Sequence, residues 1–473
     1  MRRVMLALAL AVGCGGDAPP DDGVGDGTDG ADVTDTTDGS GDGADGAAGA
    51  DGVDGTDETG DPTDTGGTED TGDPGPTVDF NACGVDFRDG HRAAGTPDDP
   101  ILTPSWPMVD VGTTVGAPTD AYDTYDCAPD TLETGPEVLY RFTVDRPGSF
   151  RAELDERSGD VDLHLLRDPS VDADGHVSGC LARGHQRVEV EALEAGAYWL
   201  VLDSWSDGAS EYPGAYEVAF EWWEAESWRE VEVDEDLVWR TLRTDQDGGQ
   251  TFQVLEVGLE GARRFAPAIH GDCQTVAERA TELGAIAGMN GGFFGMSDCA
   301  SLDFVKAGGT VLSVNRLNGL PQRAVGWSSD GGIQHTWVEE TDTWPEVSEG
   351  ISGYPSLVTS GTAAAEARPG EQVYSSIDWS QHPRSALGIT ADDRLLLVTV
   401  AGRTTAGVGL TTPRLAEWMV DLGAVDAVAL DGGGSTTLFL DGCWAGGVIN
   451  HPSDNARPDW RGARTVADGV YLY

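Results

Sequence analysis

The sequence predicts a multidomain protein: a disordered acidic N-terminal tether, then an antiparallel β-sandwich, then an α+β domain with mixed sheets. Three observations predict this class. A stretch rich in Asp, Gly and Thr comes first, short strands with alternating apolar residues fill the middle, and helical and strand patterns alternate in the last half. At 473 residues the chain is too long for one ordinary domain.

The first residues have the pattern of a secretory signal. Arg2 and Arg3 are basic, and the apolar stretch 4–12 is far too short to span a bilayer. Residues 1–14 are therefore a predicted signal peptide, and Ala11-Val-Gly-Cys14 is similar to a bacterial lipoprotein cleavage box. Lipidation of Cys14 predicts a membrane anchor and a cell-envelope lipoprotein, with ordinary secretion as the alternative.

Residues 15–79 form the predicted tether. They are mostly Asp, Gly and Thr, and neither Lys nor Arg occurs between Arg3 and Arg88. Like charges repel and almost nothing is available to bury, so we expect an extended disordered linker. The formal net charge of −55 argues against nucleic acid and against docking on an anionic membrane face. An anionic substrate would have to be attracted by local arginines.

Residues 80–224 alternate apolar and polar positions in short segments separated by turns, which predicts the β-sandwich. The predicted strands are 139–144, 149–154, 161–166, 187–190, 195–202 and 215–220. Segments F-T-V-x-x-P-G, G-D-V-D-L and A-G-A-Y-W-L-V-L-D resemble the pre-peptidase C-terminal-like domains of secreted bacterial enzymes, which implies a role in binding or secretion. Asp160 and Asp162 offer carboxylates to a calcium ion, although solvated turn acids are the favoured interpretation.

Cysteine usage agrees with an oxidising compartment. Without Cys14, six cysteines remain, and six allow fifteen pairings. Their even split between the two halves favours the pairs Cys127–Cys180 and Cys273–Cys299, which leaves Cys83 and Cys443 to pair across domains or to stay free. Neither a C-x-x-C motif nor a His/Cys cluster occurs, so no metal site and no cofactor is predicted.

The loop 431–437, D-G-G-G-S-T-T, is the most informative segment of the last half. A helix with Thr412 as N-cap, Pro413 at its first position and Gly423 at its end precedes the buried strand 425–430. Three glycines let backbone approach a ligand closely. The loop is not a phosphate-binding P-loop, because it lacks the Lys and the following helix.

Four further motifs accompany this loop: Asn290-Gly-Gly-Phe-Phe294, His382-Pro-Arg-Ser-Ala-Leu-Gly388, Gly402-Arg-Thr404 and Val448-Ile-Asn-His-Pro-Ser453. In this order they resemble the phosphodiester glycosidase family, over roughly residues 231–473 and including a predicted helix at 275–284. The resemblance implies that a domain at 225–473 hydrolyses the glycosidic bond of a sugar-1-phosphodiester on a surface or extracellular glycan.

The resemblance and the chemistry of such a substrate assign roles to the motif residues. A guanidinium forks onto two phosphate oxygens, so Arg384 is predicted to bind the phosphate, with Arg464 as a weaker candidate of the same type. Asn290, predicted to be catalytic, and Asn450 would fix sugar hydroxyls or the phosphate, because an amide both donates and accepts.

Cleavage at C1 of the sugar builds positive charge on the ring, and Asp431 is predicted to offset it as nucleophile or stabiliser. The loop residues predicted to contact the substrate are Gly432, Gly433, Ser435 and Thr436. A second acid is less necessary because a phosphate ester is a stable leaving group, although Asp468 or Asp303 could provide one. His382 is predicted either to act as a base or to shape the entry to the Arg384 strand.

Two other functions stay open from the sequence. One is a catalytically idle surface lipoprotein that binds phosphorylated glycans. The other is a phosphodiesterase that uses the same residues to cut the P–O bond.

Overall fold

A computed structural model of the chain describes residues 85–86, 93–103, 106–156, 158–259, 264–316, 320–328, 332–366, 379–443 and 445–473. The predicted signal peptide, Cys14, the tether and Cys83 lie outside these residues. The described residues are mainly β-strands, with two α-helices among them. Neither of these two helices has the length and apolar composition that crossing a bilayer requires.

Two sheets are built from the first eleven strands of the described chain. They are ordered β1-β3-β11-β6-β9 and β2-β5-β10-β7-β8-β4, with these bounds: β1 Val85–Asp86, β2 Ile101–Leu102, β3 Met108–Thr113, β4 Thr124–Tyr125, β5 Val138–Val144, β6 Gly148–Glu156, β7 Val161–Val171, β8 His176–Gly184, β9 Arg187–Leu193, β10 Gly196–Ser204 and β11 Ala215–Trp223.

The two sheets face each other across a buried aromatic core, as a sandwich requires. Phe150 and Phe220 from the first sheet pack with Tyr140 and Phe142 from the second. Trp106 meets the ring of Phe142 edge-on at 5.1 Å between centroids. Each of the six strands predicted from alternation coincides with an observed strand. In β11 the burial alternates along most of the strand, whereas the first six residues of β7 are buried on both faces of the sheet.

The remaining elements of the described chain are two helices and seventeen strands. Their bounds are β12 Arg229–Asp234, β13 Leu237–Thr244, β14 Gln250–Val257, β15 Phe265–Gln274, α1 Val276–Leu283, β16 Ala287–Asn290, β17 Val305–Ala307, β18 Thr310–Ser313, β19 Gln322–Trp327, β20 Ile333–Val338, β21 Glu349–Gly353, β22 Ser356–Thr359, β23 Thr362–Glu366, β24 Arg384–Thr390, β25 Leu395–Val400, α2 Thr412–Asp421, β26 Ala424–Ala429, β27 Leu438–Leu440 and β28 Val466–Leu472.

Three sheets are formed by these strands, in the orders β12-β13-β14-β25-β24-β26-β22-β23, β15-β28-β16-β27 and β18-β17-β21-β19-β20. Every described pairing within them is antiparallel. The prediction of mixed sheets in this domain is therefore wrong. The parallel pairs are three short ones in the sandwich, β1 with β3, β2 with β5 and β4 with β8. Few helices are present to carry crossovers between parallel strands.

The eight-stranded sheet has different partners on its two faces. On one face, Leu397 and Val428 share a core with Met289 of the four-stranded sheet and Ile351 of the five-stranded sheet. On the other face, helix α2 packs against the sheet. Val109 of the sandwich also belongs to the first core, so a boundary near residue 224 stays a prediction.

Both predicted helices are present. Thr275 and Glu278 form a capping box at the start of α1, and Gly284 ends it in the left-handed region. The N-cap of α2 is Thr411 rather than Thr412, because the Thr411 side chain accepts from the backbone nitrogen of Arg414. Moving the cap by one residue leaves Pro413 in the first turn, where its missing N–H costs nothing.

Two disulfides join the pairs expected from the sequence, Cys127 with Cys180 and Cys273 with Cys299. Cys443 is also disulfide-bonded, although its partner lies outside the described residues.

Candidate active site

Arg384 and Asp431 lie at facing positions at the ends of two neighbouring interior strands of the eight-stranded sheet. Strand β24 begins at Arg384 and pairs with β26 so that Ala386 faces Ala429. A backbone bond of 2.9 Å from Leu430 to Ser385 extends this register beyond the end of β26. In an antiparallel pair, a step of one residue forward along one strand is matched by a step of one residue back along its partner. The next position therefore places Asp431 opposite Arg384.

Asn290 holds the Asp431 backbone from the neighbouring four-stranded sheet. The Asn290 Nδ2 donates to the Asp431 carbonyl at 2.7 Å and to the Gly291 carbonyl at 3.2 Å. Its Oδ1 accepts from the Ser385 hydroxyl at 2.8 Å and from the Thr437 backbone nitrogen at 3.1 Å. Asn290 is 0% exposed. Its amide donates and accepts inside the protein, which fixes the Asp431 backbone, and its direct contact with substrate stays a prediction.

The two glycines after Asn290 are required by two buried carboxylates. Asp468 accepts from the Gly292 backbone nitrogen at 2.8 Å, and Asp303 accepts from the Phe293 backbone nitrogen at 2.5 Å. A Cβ on Gly291 would lie 1.9 Å from Asp468 Oδ1, and one on Gly292 would lie 2.0 Å from Asp303 Oδ2. Both acids therefore anchor the Asn290 loop, and neither lines the cavity as a second acid would.

A cavity of about 280 Å³ opens at these strand ends. Its volume is close to the lower limit of about 300 Å³ for small-molecule sites. Its walls combine guanidinium groups, one carboxylate and bare backbone. The lining residues are Phe293, Tyr354, Pro355, His382, Arg384, Arg403, Ala429, Leu430, Asp431, Gly432, Gly433, Gly434 and Arg464.

The predicted site residues Asp431, Arg384, Gly432, Gly433 and Arg464 are thus brought together on this wall. The Arg384 guanidinium is fixed by the Leu410 carbonyl at 2.8 Å and the Ser380 carbonyl at 2.9 Å. Arg464 is held by Asp454 at 2.5 Å. These contacts set the direction of both side chains before any ligand binds, which reduces the entropy lost on binding.

Ser435 and Thr436 of the loop, together with Asn450, are buried and do not line the cavity. Asn450 Oδ1 accepts from the Leu438 backbone nitrogen at 2.8 Å, and its Nδ2 donates to the Thr436 carbonyl at 2.9 Å. The contacts of Asn450 fix the loop, and they do not support the predicted binding of substrate by Asn450, Ser435 and Thr436.

Gly432 and Gly433 need to be glycine for different reasons. A Cβ on Gly432 would lie 2.7 Å from the Pro383 carbonyl oxygen. Gly433 has φ of +61°, which side chains rarely tolerate. The backbone of the loop therefore passes directly over the β24 entry and faces the cavity.

Sequence reasoning gave no role to the cavity residue Arg403. Arg403 lines the wall, and a Cβ on Gly433 would lie 3.1 Å from both of its terminal nitrogens. It donates to His382 Nδ1 at 3.1 Å. The signal was the Gly402-Arg-Thr404 motif, which was noted without a role for its arginine.

Burial and neighbouring charges set the protonation of the site. Burial raises the pKa of Asp431 to about 6, against the opposing influence of Ser435, Arg464 and Arg403. The pKa of His382 is lowered, first by burial and then by Arg403 and Arg384. Near neutral pH, Asp431 is therefore a carboxylate and His382 a neutral ring that accepts at Nδ1, which makes His382 a poor proton donor.

The described residues that could together hold a metal ion lie in the sandwich. Asp160, Asp162 and His185 offer ligand atoms within 4.8 Å of one another. Asp162, however, already pairs with the guanidinium of Arg183. A second cluster contains Cys127 and Cys180, whose sulfurs are bonded to each other.

Residues 283–473 match the family model described as phosphodiester glycosidase. Two curated relatives are each named N-acetylglucosamine-1-phosphodiester alpha-N-acetylglucosaminidase. The protein from Bos taurus is 29% identical over 238 residues, covering 47% of this chain and 42% of the relative. The protein from Mus musculus is 30% identical over 238 residues, covering 47% and 43%. The chain thus spans less than half the length of these relatives.

Among solved structures, the catalytic domain of the zebrafish enzyme of that name, auto-inhibited by its pro-peptide, is similar with a TM-score of 0.44 and 20% identity, covering 52% of this chain and 87% of that one. The family match begins at residue 283, so the predicted start of the domain at 225 stays a prediction. Residues 283–473, which match the phosphodiester glycosidase family model, include every residue lining the cavity.

Proposed function

We propose that the cavity hydrolyses the glycosidic bond of a sugar-1-phosphodiester carried by a surface or extracellular glycan. The observation that carries this proposal is the meeting of Arg384, Arg403 and Arg464 with the Asp431 carboxylate in one small cavity. In a chain with a formal net charge of −55, three guanidinium groups around one site favour an anionic ligand. The names of the curated relatives support the same reaction class.

The arginines would bind the phosphodiester. A phosphodiester carries one permanent negative charge and two unsubstituted oxygens, which suits the planar fork of an arginine. Arg384 is fixed by two carbonyls at the start of β24, and the Arg403 guanidinium lies next to Gly433. The two guanidinium groups are held by different elements. Together they would fix the orientation of the phosphate, and with it the positions of the sugar and the aglycone.

Asp431 would act on the sugar carbon. Breaking the C1–O bond leaves positive charge on the ring, which a nearby carboxylate offsets as nucleophile or as electrostatic stabiliser. Water supplies the oxygen that ends on C1, and the bridging oxygen leaves with the phosphate monoester. That leaving group is already a stable anion. The absence of Asp468 and Asp303 from the cavity wall is consistent with a mechanism that needs little acid assistance.

The accessory part of the proposal concerns place and partners. The two disulfides of the described residues support an oxidising compartment. We propose that the protein acts in the cell envelope, anchored through Cys14, or outside the cell. The sandwich would hold the catalytic domain near its glycan, as in the pre-peptidase C-terminal-like domains that it resembles.

The test is a panel of sugar-1-phosphodiesters that vary in sugar and in aglycone, assayed for release of free sugar. The proposal predicts turnover of at least one sugar class by the wild-type chain and loss of that turnover in Asp431→Asn. If the chain binds such diesters tightly and releases no product from any of them, it is a glycan-binding protein and the proposal is wrong.

A further inference from the structure

Arg403 is placed in the cavity by a short loop between β25 and α2. Its backbone lies in the left-handed region, with φ of +62°. Thr404 and Gly407 are joined by two backbone hydrogen bonds of 3.4 and 3.2 Å, which closes the loop directly after Arg403. The direction of the Arg403 side chain therefore depends on how this loop is held.

The loop is held from two sides. Within the family domain and its preceding strands, Thr251 donates from its hydroxyl to the Ala406 carbonyl at 2.5 Å, and the Val408 nitrogen donates to the Gly249 carbonyl at 3.1 Å. The other contact comes from the sandwich. Arg151 on β6 donates from a terminal nitrogen to the Thr405 carbonyl at 2.8 Å, across 254 residues of sequence.

Arg151 is itself fixed with little freedom. It is 2% exposed, and it pairs with Glu189 at 3.1 Å and with Glu221 at 3.8 Å. Its guanidinium also lies 5.5 Å from the centroid of the Trp223 ring. A buried cation is costly unless it is paired and hydrogen-bonded. The Arg151 guanidinium also donates to the backbone carbonyl of Thr405, two residues from the cavity arginine Arg403.

We propose that Arg151 is a positioning residue of the catalytic site: through the Thr405 carbonyl, the β-sandwich sets the direction of Arg403. This inference rests on the proposed function for its kinetic consequence. It also predicts the result of removing the sandwich. A chain that starts near Glu224 lacks Arg151, so its Arg403 loop loses one support and its substrate binding weakens even where the rest of the domain folds.

The kinetic test is a double-mutant cycle in the full chain with Arg151→Met and Arg403→Met. Displacing a binding group by a fraction of an ångström to about 1 Å costs up to about 100-fold, so Arg151→Met should raise KM by about 10-fold with a smaller change in kcat. The double variant should be no worse than Arg403→Met alone, because Arg151 acts only through Arg403. Arg151→Lys should restore part of the loss.

Two further variants keep the test decisive. Arg141→Met is the matched control, because Arg141 is an exposed arginine on β5 of the same sandwich, and it should keep wild-type kinetics. Glu189→Gln leaves Arg151 in place and weakens only the group that orients it. Glu189→Gln should raise KM less than Arg151→Met does, and this increase should be absent when Arg403→Met is also present. If Arg151→Met fails to fold, Glu189→Gln takes its place in the test.

A measurement without substrate separates this inference from the proposed function. Amide hydrogen exchange of residues 402–408 should be faster in Arg151→Met than in wild type, and unchanged in Arg141→Met. If exchange in that loop is unaltered, or if the losses from Arg151→Met and Arg403→Met multiply, Arg151 does not position Arg403. Failure to hydrolyse any sugar-1-phosphodiester would reject the proposed function, while the exchange result would still decide the role of Arg151.

Discussion

Asn290 Nδ2 donates to the carbonyl oxygen of Asp431 at 2.7 Å, across 141 residues and between two different sheets. The Asp431 nitrogen also donates to the Gly291 carbonyl at 3.0 Å. The backbone of Asp431, a residue that lines the cavity, is thus held by the end of β16 and the residue after it. This clamp gives the N-G-G and D-G-G-G motifs a common structural purpose.

Asn290→Ala should lower stability and activity together. The substitution removes hydrogen bonds to the Asp431 and Gly291 carbonyls and leaves Ser385 and Thr437 without their acceptor. Each buried group left unsatisfied costs about 1–3 kcal/mol, so urea unfolding should show a loss of several kcal/mol. Unchanged stability with a raised KM would instead make Asn290 a substrate-binding residue, as the family resemblance implied.

Arg384→Ala should weaken binding with little effect on folding. It removes a charge-assisted contact to phosphate in a partly desolvated site, so roughly 2–5 kcal/mol of binding energy is at stake. Steady-state kinetics should show the loss mainly in KM. Arg384→Lys should recover only part of it, because an ammonium group cannot fork onto two oxygens. A loss confined to kcat would place Arg384 on the transition state and not on the bound diester.

Activity should fall in acid as Asp431 becomes protonated. Burial raises the pKa of Asp431 to about 6, and the proposed mechanism needs the carboxylate. A phosphodiester does not titrate near this pH. A profile of kcat/KM should therefore be high above pH 7 and decline through about 6 as the pH falls.

Asp431→Asn is the control for this profile. It keeps the size of the side chain and removes its charge, so kcat should collapse while substrate affinity is kept or improved, since one anion near the diester is gone. Its residual activity should not show the step near pH 6. Nearly full turnover by this variant would remove Asp431 from its assigned role.

The Cys273–Cys299 bond should matter more for activity than the Cys127–Cys180 bond. Its two Cα atoms are 5.5 Å apart, and the 26-residue separation includes the Asn290 loop. Closing a loop of this length stabilises the fold by roughly 3 kcal/mol. Replacing both cysteines by Ser should lower kcat/KM and loosen residues 290–294 in hydrogen exchange. The matched replacement of Cys127 and Cys180 should lower the melting temperature without altering the kinetics.

Local sequence patterns predicted strands, both α-helices and two residues of the site, Asp431 and Arg384. Asp431 and Arg384 stand at the ends of apolar runs, and alternation identified six of the eleven described sandwich strands. The roles of Asn290 and Asn450 could not be found this way. Both are buried amides that can donate and accept, and only the tertiary fold decides whether such a group faces ligand or backbone.

Arg403 was missed for a related reason. Its loop has no helical or strand periodicity, and its approach to Gly433 is a contact between two separate loops. The mixed sheets were expected from alternating helical and strand patterns, whereas the described strands of this domain pair antiparallel through short connections and long-range returns. Pairing partners of this kind are set by tertiary packing, which local sequence does not encode.

The central claim is that the C1–O bond of a sugar-1-phosphodiester breaks at the cavity containing Asp431. Hydrolysis of an accepted diester in oxygen-18 water, with mass analysis of both products, tests it directly. The account predicts the label in the hydroxyl group on C1 of the released sugar and unlabelled phosphate monoester. Label in the phosphate, with an unlabelled sugar, would show P–O cleavage and would contradict the assignment of this chain as a glycosidase.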